Sequence, residues 1–202
     1  MRLGGRWAPL AAVVGGVSLV AAAFILPLFI AAGTNNATLA SLALKGKVDM
    51  MLYDADGRIK DERHFDNLIV NAGVEGVASR IAPHDGTINP SSAYNYIALG
   101  TDNTPAAATQ TALVSELPFG PNYVRLQDAT AQYVPASGSV PPKLILSVIY
   151  PPNQATGTLR ESAIFNAASG GNMFARQVIT PQIAKAAGDT LTVTWTITLS
   201  PS

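Results

Sequence analysis

The chain has 202 residues and no cysteine. That absence excludes a disulfide framework, a thiol nucleophile, an iron–sulfur cluster and cysteine-ligated zinc. Histidine is nearly as scarce, with only His64 and His84, which leaves little for metal or triad chemistry. Charge is thin too. Asp, Glu, Lys and Arg make up 13% of the residues, against about 25% in an average soluble protein. The 13 basic side chains cancel the 13 acidic ones. A neutral chain has no basic stripe to hold a phosphate backbone, so no nucleic-acid partner is expected. The Gly-x-Ser-x-Gly elbow, the phosphate-binding loop and the dinucleotide glycine fingerprint are missing as well. These absences predict a protein that is not an enzyme, with no catalytic residue, no cofactor and no metal ligand.

What the chain does have is a long apolar start. Residues 7–44 carry no charge, and the core of that run, 7–32, is 26 residues long. As a helix it would reach about 39 Å, beyond the roughly 30 Å hydrocarbon core of a bilayer. Pro9 falls in the first turn, where a missing N–H costs nothing, and Pro27 would kink the helix. Arg2 and Arg6 precede the run and nothing basic follows until Lys45. The positive-inside rule then places the amino terminus in the cytoplasm and the rest outside. The length favours a transmembrane anchor in a lipid membrane. A signal segment cut after the small residues at 30–33 and a pilin-type leader cut near Gly4-Gly5 are the alternatives. Small residues at 11 and 15, and at 12 and 16, would suit close helix packing, but Ala and Gly are common in such segments and that plainer reading is preferred. A linker is expected over 33–46, with a glycosylation sequon at 36–38.

The outer domain, 47–202, reads as antiparallel β structure, because short apolar runs are broken by Gly, Pro, Asn and Asp. The clearest strand is 190–200. Leu191, Val193, Trp195, Ile197 and Leu199 alternate there with five threonines, giving one apolar face and one hydroxyl face. The apolar face belongs in the core. The threonine face is either wet or packed on another subunit. Further strands are expected at 47–53, 58–65, 94–99, 123–133, 144–150, 158–165 and 173–179. One short amphipathic helix is expected at 74–81, with Asn71 as its cap. Residues 101–121 and 135–142 read as long loops. The expected fold class is all-β: an antiparallel β-sandwich, Greek-key or jelly-roll-like, with one short helix, behind the amino-terminal transmembrane helix.

Several residues invite a chemical reading. Asp54-Ala55-Asp56-Gly57 resembles the start of a calcium loop. However, Arg58 and Lys60 stand where acidic ligands should follow, so a hairpin turn is the better reading. His64 lies in a charged stretch and His84 in a Pro-His-Asp-Gly turn, so both read as solvated surface. Gly170-Gly171 reads as a hairpin turn. Arg160, Glu161 and Arg176 are isolated charges in apolar strands, which are costly when buried unless paired. They form either a polar ligand site or, the preferred reading, an Arg–Glu pair between neighbouring strands or plain exposure.

The order of several motifs carries a resemblance. Residues 67–73 (NLIVNAG) precede 96–101 (YIALGT), then Thr111-Ala112-Leu113-x-x-Glu116-Leu117 and 157–166 (GTLRESAIFN). The series ends with 175–178 (ARQV) and 188–195 (GDTLTVTW). Over residues 48–200 this resembles the β-rich module of tailed-phage tail-fibre and related virion or prophage structural proteins. The resemblance implies a non-catalytic structural or attachment role outside a cell and supplies no active-site residues. Tail fibres of this sort do not usually carry a membrane helix, which leaves a membrane-containing virion or a cell-surface filament. The expected function is therefore a structural or attachment protein, membrane-anchored by residues 7–32, with its carboxy-terminal domain extracellular or on a virion exterior. The expected partners are the membrane, further copies of the chain or other structural subunits, and a cell-surface receptor. A pilin-like filament subunit and a secreted binding module or enzyme are the alternative functions.

Overall fold

A computed structural model describes residues 42–81, 93–118 and 125–201. The chain divides into two compact units, 1–38 and 39–202, and the described residues belong to the second. The helix expected over 7–32, the sequon and His84 lie outside the described residues. Among the described residues, no helix is long and apolar enough to cross a membrane.

The described chain is mostly antiparallel β structure with one short helix. Its elements are β1 (Leu42–Tyr53), β2 (Ile59–Ile69), α1 (Asn71–Ile81), β3 (Tyr96–Gly100), β4 (Leu126–Gln127), β5 (Gln132–Val134), β6 (Lys143–Tyr150), β7 (Gly157–Phe165), β8 (Met173–Lys185) and β9 (Thr190–Pro201). The strands form one sheet in the order β4-β3-β7-β8-β2-β1-β9-β6-β5. The connections nest. The β1–β2 hairpin sits in the middle, the β8–β9 connection brackets it, β6–β7 brackets those four strands, and β4–β5 joins the two ends.

β2 is the corner of the sheet. Residues 59–67 pair with β1, and then Leu68 and Ile69 pair with Arg176 and Ala175 of β8. The sheet thus has a first half, β5-β6-β9-β1-β2, and a second half, β8-β7-β3-β4. Their inner faces share one apolar core, with Met50, Leu146 and Trp195 from the first and Leu159, Ile164 and Ile179 from the second. Burying each such side chain contributes about 1.5–3 kcal/mol. Two polar ties cross the core. The Tyr150 hydroxyl donates to the Ile97 carbonyl at 2.7 Å. Asp128, just after β4, accepts the Ser147 N–H of β6 at 2.7 Å, drawing the free end of the second half onto the first.

β9 follows its alternation. Leu191, Val193, Trp195 and Ile197 are buried between Leu52, Met50, Val48 and Gly46 of β1 and Tyr150, Val148, Leu146 and Leu144 of β6. The threonines point to the opposite face and are half-buried. Asp54-Ala55-Asp56-Gly57 forms a turn between β1 and β2. Asp54 Oδ1 accepts the N–H groups of Asp56 and Arg58, and Gly57 takes φ +78°. Gly170 and Gly171, at φ +60° and +70°, turn the chain between β7 and β8.

Some boundaries differ from expectation. β1 opens at Leu42, inside the stretch expected as linker, because Leu44 continues its inward alternation opposite Leu199. The single strand expected over 123–133 is two short ones, β4 and β5. Asp128 breaks it by accepting the Thr130 N–H at 2.8 Å, a side-chain turn that competes with the ladder. β8 runs on to Lys185 rather than stopping at 179. Asn71 is not the cap of α1. The carbonyl of Val70 accepts the N–H of Val74, which makes Asn71 the first helical residue. The Asn71 N–H goes instead to the Ala108 carbonyl.

Candidate functional site

The two halves treat their outer faces differently. On the second half, Ala98, Ala163, Phe165 and Met173 turn outward and are still buried, packed with Val70 and Leu113. Loop 101–118 and the start of α1 lie over this face. The loop carries few apolar anchors of its own, and most of its side chains are exposed. Buried charges hold it in place.

Glu161 of β7 and Arg176 of β8 are both fully buried. Arg176 Nε donates to Glu161 Oε2 at 2.9 Å, and Nη2 lies 2.8 Å from the same oxygen, off the hydrogen-bonding direction. The pair reaches outward to the loop from both sides. Glu161 accepts the N–H groups of Val114 and Ser115 at 3.1 and 2.7 Å. Arg176 Nη1 donates to the Thr104 carbonyl at 2.9 Å and to Gln110 Oε1 at 3.1 Å. Gly100 makes the approach feasible, since a Cβ there would sit 2.5 Å from both Glu161 Oε1 and the Ser115 carbonyl. Main-chain bonds from Thr101 N–H to the Ser115 carbonyl and from Leu117 N–H to the Leu99 carbonyl close the loop's base. Beside it, Thr104 donates to Asp102 and holds that carboxyl below its usual range.

A second clamp lies nearby. Arg125 is buried, with its guanidinium 3.5 Å above the centre of the Phe165 ring. Nε and Nη2 donate to the two carboxylate oxygens of Glu116 at 2.6 and 2.8 Å. Nη1 donates to the carbonyls of Ala167 and Gly170 in the β7–β8 turn. One arginine thus fastens loop 101–118 to that turn through a planar fork that a lysine could not reproduce.

The remaining candidates sit apart. Glu161 and Arg176 form the interstrand pair expected of them, whereas Arg160 faces outward to Gln182. His64 is on the surface of β2, with Nδ1 2.7 Å from Asp49 and Nε2 3.2 Å from Glu62. Those carboxylates, Asp49 first, raise its pKa above the ordinary 6.5. At the far end of β8, burial pushes the Lys185 ammonium below its usual value, and it donates to the carbonyls of Pro151 and Asp189. The hydrogen bond from Lys60 to Asp189, 2.7 Å long, keeps that carboxyl low. Among the described residues, no three His, Asp or Glu side chains are grouped to hold a metal ion. The roles of Glu116, Gln110 and Arg125 have no signature in the sequence. Glu116 and Arg125 are nine residues apart in segments without period, and the other partners of Arg125 and Gln110 lie far along the chain.

Chemically, this arrangement fixes backbone. The carboxylates of Glu161 and Glu116 and the guanidinium groups of Arg176 and Arg125 converge on main-chain groups of loop 101–118 and its neighbouring turn. Compared with known proteins, the chain matches no protein-family model and no curated protein.

Proposed function

We propose that this protein is a non-catalytic structural or attachment protein of a virion or cell surface. Residues 7–32 anchor it in a membrane and the β domain is displayed outside. In architectural terms we read the curled sheet as a β-sandwich with jelly-roll-like connections, since its connections nest about a central hairpin. The motif order over 48–200 supports kinship with the tail-fibre-like module.

One observation carries the reading. The buried charges of the second half serve to hold a long, exposed, Pro-, Ala- and Thr-rich loop rigid on a sheet. A binding loop set on a stiff scaffold loses little entropy when it meets a partner, which is how display proteins gain contact strength. An antibody against loop 101–118 tests this. It should decorate intact cells or particles without permeabilisation. Labelling that appears only after the membrane is opened would overturn the reading.

A further inference from the structure

The outer face of the first half is the counterpart of the clamped face, and it has an unusual chemistry. The threonine column of β9 runs down its middle. On one side stands β1 with Met51 and Tyr53, and on the other β6 with Ile145 and Ile149. Met51, Thr192 and Ile149 form one continuous row across three strands. Ile149 is 59% exposed, and Ile59 at the foot of β2 is 57% exposed. A strand face made for water alone carries mostly Lys, Glu and Asp. This one carries hydroxyls and aliphatics at its centre.

We propose that this face is where a second copy of the same chain docks, with the threonine columns of the two copies opposed. The inference deepens the structural reading above, because a surface built of many copies needs a face on which they meet. Three features support a copy of itself as the occupant. First, the face carries both signs in near balance: Lys45, Lys47, Lys143 and, when protonated, His64 against Asp49, Glu62 and Asp66. Identical faces of balanced charge meet without the repulsion that a single-sign surface would impose. Second, the area suffices. The four strands β2, β1, β9 and β6, of eight to twelve residues, give on the order of 700 Å² per copy at ~4.8 Å between strands and ~3.4 Å per residue. A standard interface takes about 800 Å² from each partner. Third, threonine and isoleucine are β-branched and stiff, so ordering them on contact loses little side-chain freedom. The outermost strands are short, β4 with two residues and β5 with three, and a short edge strand is a poor template for a new one.

The test uses the full chain in mild detergent. Sedimentation should show an associated species for the natural chain and for Ser169→Arg, a change at an exposed position in the β7–β8 turn of the second half. Thr194→Arg, at the centre of the face, should shift the midpoint of association at least tenfold while the melting transition persists. A natural chain that is monomeric at tens of micromolar, or a Thr194→Arg chain that associates unchanged, overturns the proposal. If Thr194→Arg does not fold, Thr194→Cys decides. The natural chain has no cysteine, so a short bis-maleimide reports only the introduced thiol. Covalent dimer from Thr194→Cys but not from Ser169→Cys supports the face, and equal or absent cross-linking overturns it. Failure here with continued antibody labelling of loop 101–118 on intact particles would leave the display function standing and remove only this interface.

Discussion

The two halves of the sheet solve one problem in opposite ways. In the first half the inner face is apolar and the outer face is open, so β9 alternates between core residues and threonine. In the second half both faces are covered where loop 101–118 lies over the sheet, so β7 buries Leu159 and Ile164 on one side and Glu161, Ala163 and Phe165 on the other. A strand with one dry face is held by hydrophobic burial. A strand with two dry faces must also satisfy the loop laid over it, and here ionic groups aimed at backbone amides and carbonyls do so. The lesson is that apolar burial fixes where the strands go, while the buried ion pairs fix where the loop goes.

The strongest way to break that distinction is to open the shared core. Trp195→Ala should leave a large cavity and cost roughly 3–5 kcal/mol, a large share of the ~5–15 kcal/mol typical of a domain. Chemical denaturation followed by far-ultraviolet circular dichroism would measure it. A loss below about 1 kcal/mol would mean that the first half does not depend on its inner face.

The second half should respond differently to single and paired changes. Arg176→Ala strands the Glu161 carboxylate without its partner and should cost about 3–5 kcal/mol, as broken buried pairs do. The double change Glu161→Leu with Arg176→Met removes both charges and should recover most of that loss. It should still free loop 101–118, seen as faster proteolytic nicking within those residues. If the double variant resists protease as the natural chain does, the pair does not position the loop.

Smaller effects belong to the open face. Thr194→Ala and Thr196→Ala should each change monomer stability by on the order of 1 kcal/mol or less, measured in the same denaturation experiment. Losses matching that of Trp195→Ala would mean the outer face is part of the core.

The least effect concerns His64, which is 66% exposed. Asp49 and Glu62 raise its pKa in the folded chain. Its contribution is therefore fully present below the unfolded value near 6.5 and fades as pH rises through the raised folded value. Melting temperature should fall slightly over that window, and His64→Gln should flatten the trend. A trend that survives the substitution would assign it to another group.

The contrast between halves also explains what the sequence discloses. Period 2 in β9 reveals the strand, its core face and Trp195 together, because only one side is buried. β7 is recognisable as a strand, but its run of Glu161, Ser162, Ala163, Ile164 and Phe165, all buried, has no alternation to say which side faces what. The Glu161–Arg176 pair is suggested by the oddity of charges in apolar strands, and its loop contacts are not. Arg125 and Glu116 lie nine residues apart in segments with no periodic signal, so only the folded chain brings them together. The break at Asp128 is hidden for a related reason. A side-chain turn there depends on a carboxylate that also reaches Ser147 of a later strand.

The pairing of β1 with β9 has a consequence for how the protein is made. β1 is among the first parts of this domain to leave the ribosome, and β9 follows the other eight described strands. Yet the two lie side by side in the interior of the sheet, in register from Leu42 opposite Pro201 to Tyr53 opposite Thr190. Until β9 arrives, β1 and β6 both present an open edge, and the β1–β2 hairpin has one neighbour fewer than it needs. Such distant pairing slows folding and leaves unfinished chains prone to stick to one another. Synthesis that stalls late in the domain would therefore yield a chain without one of its interior strands, a product suited to aggregation rather than to partial function.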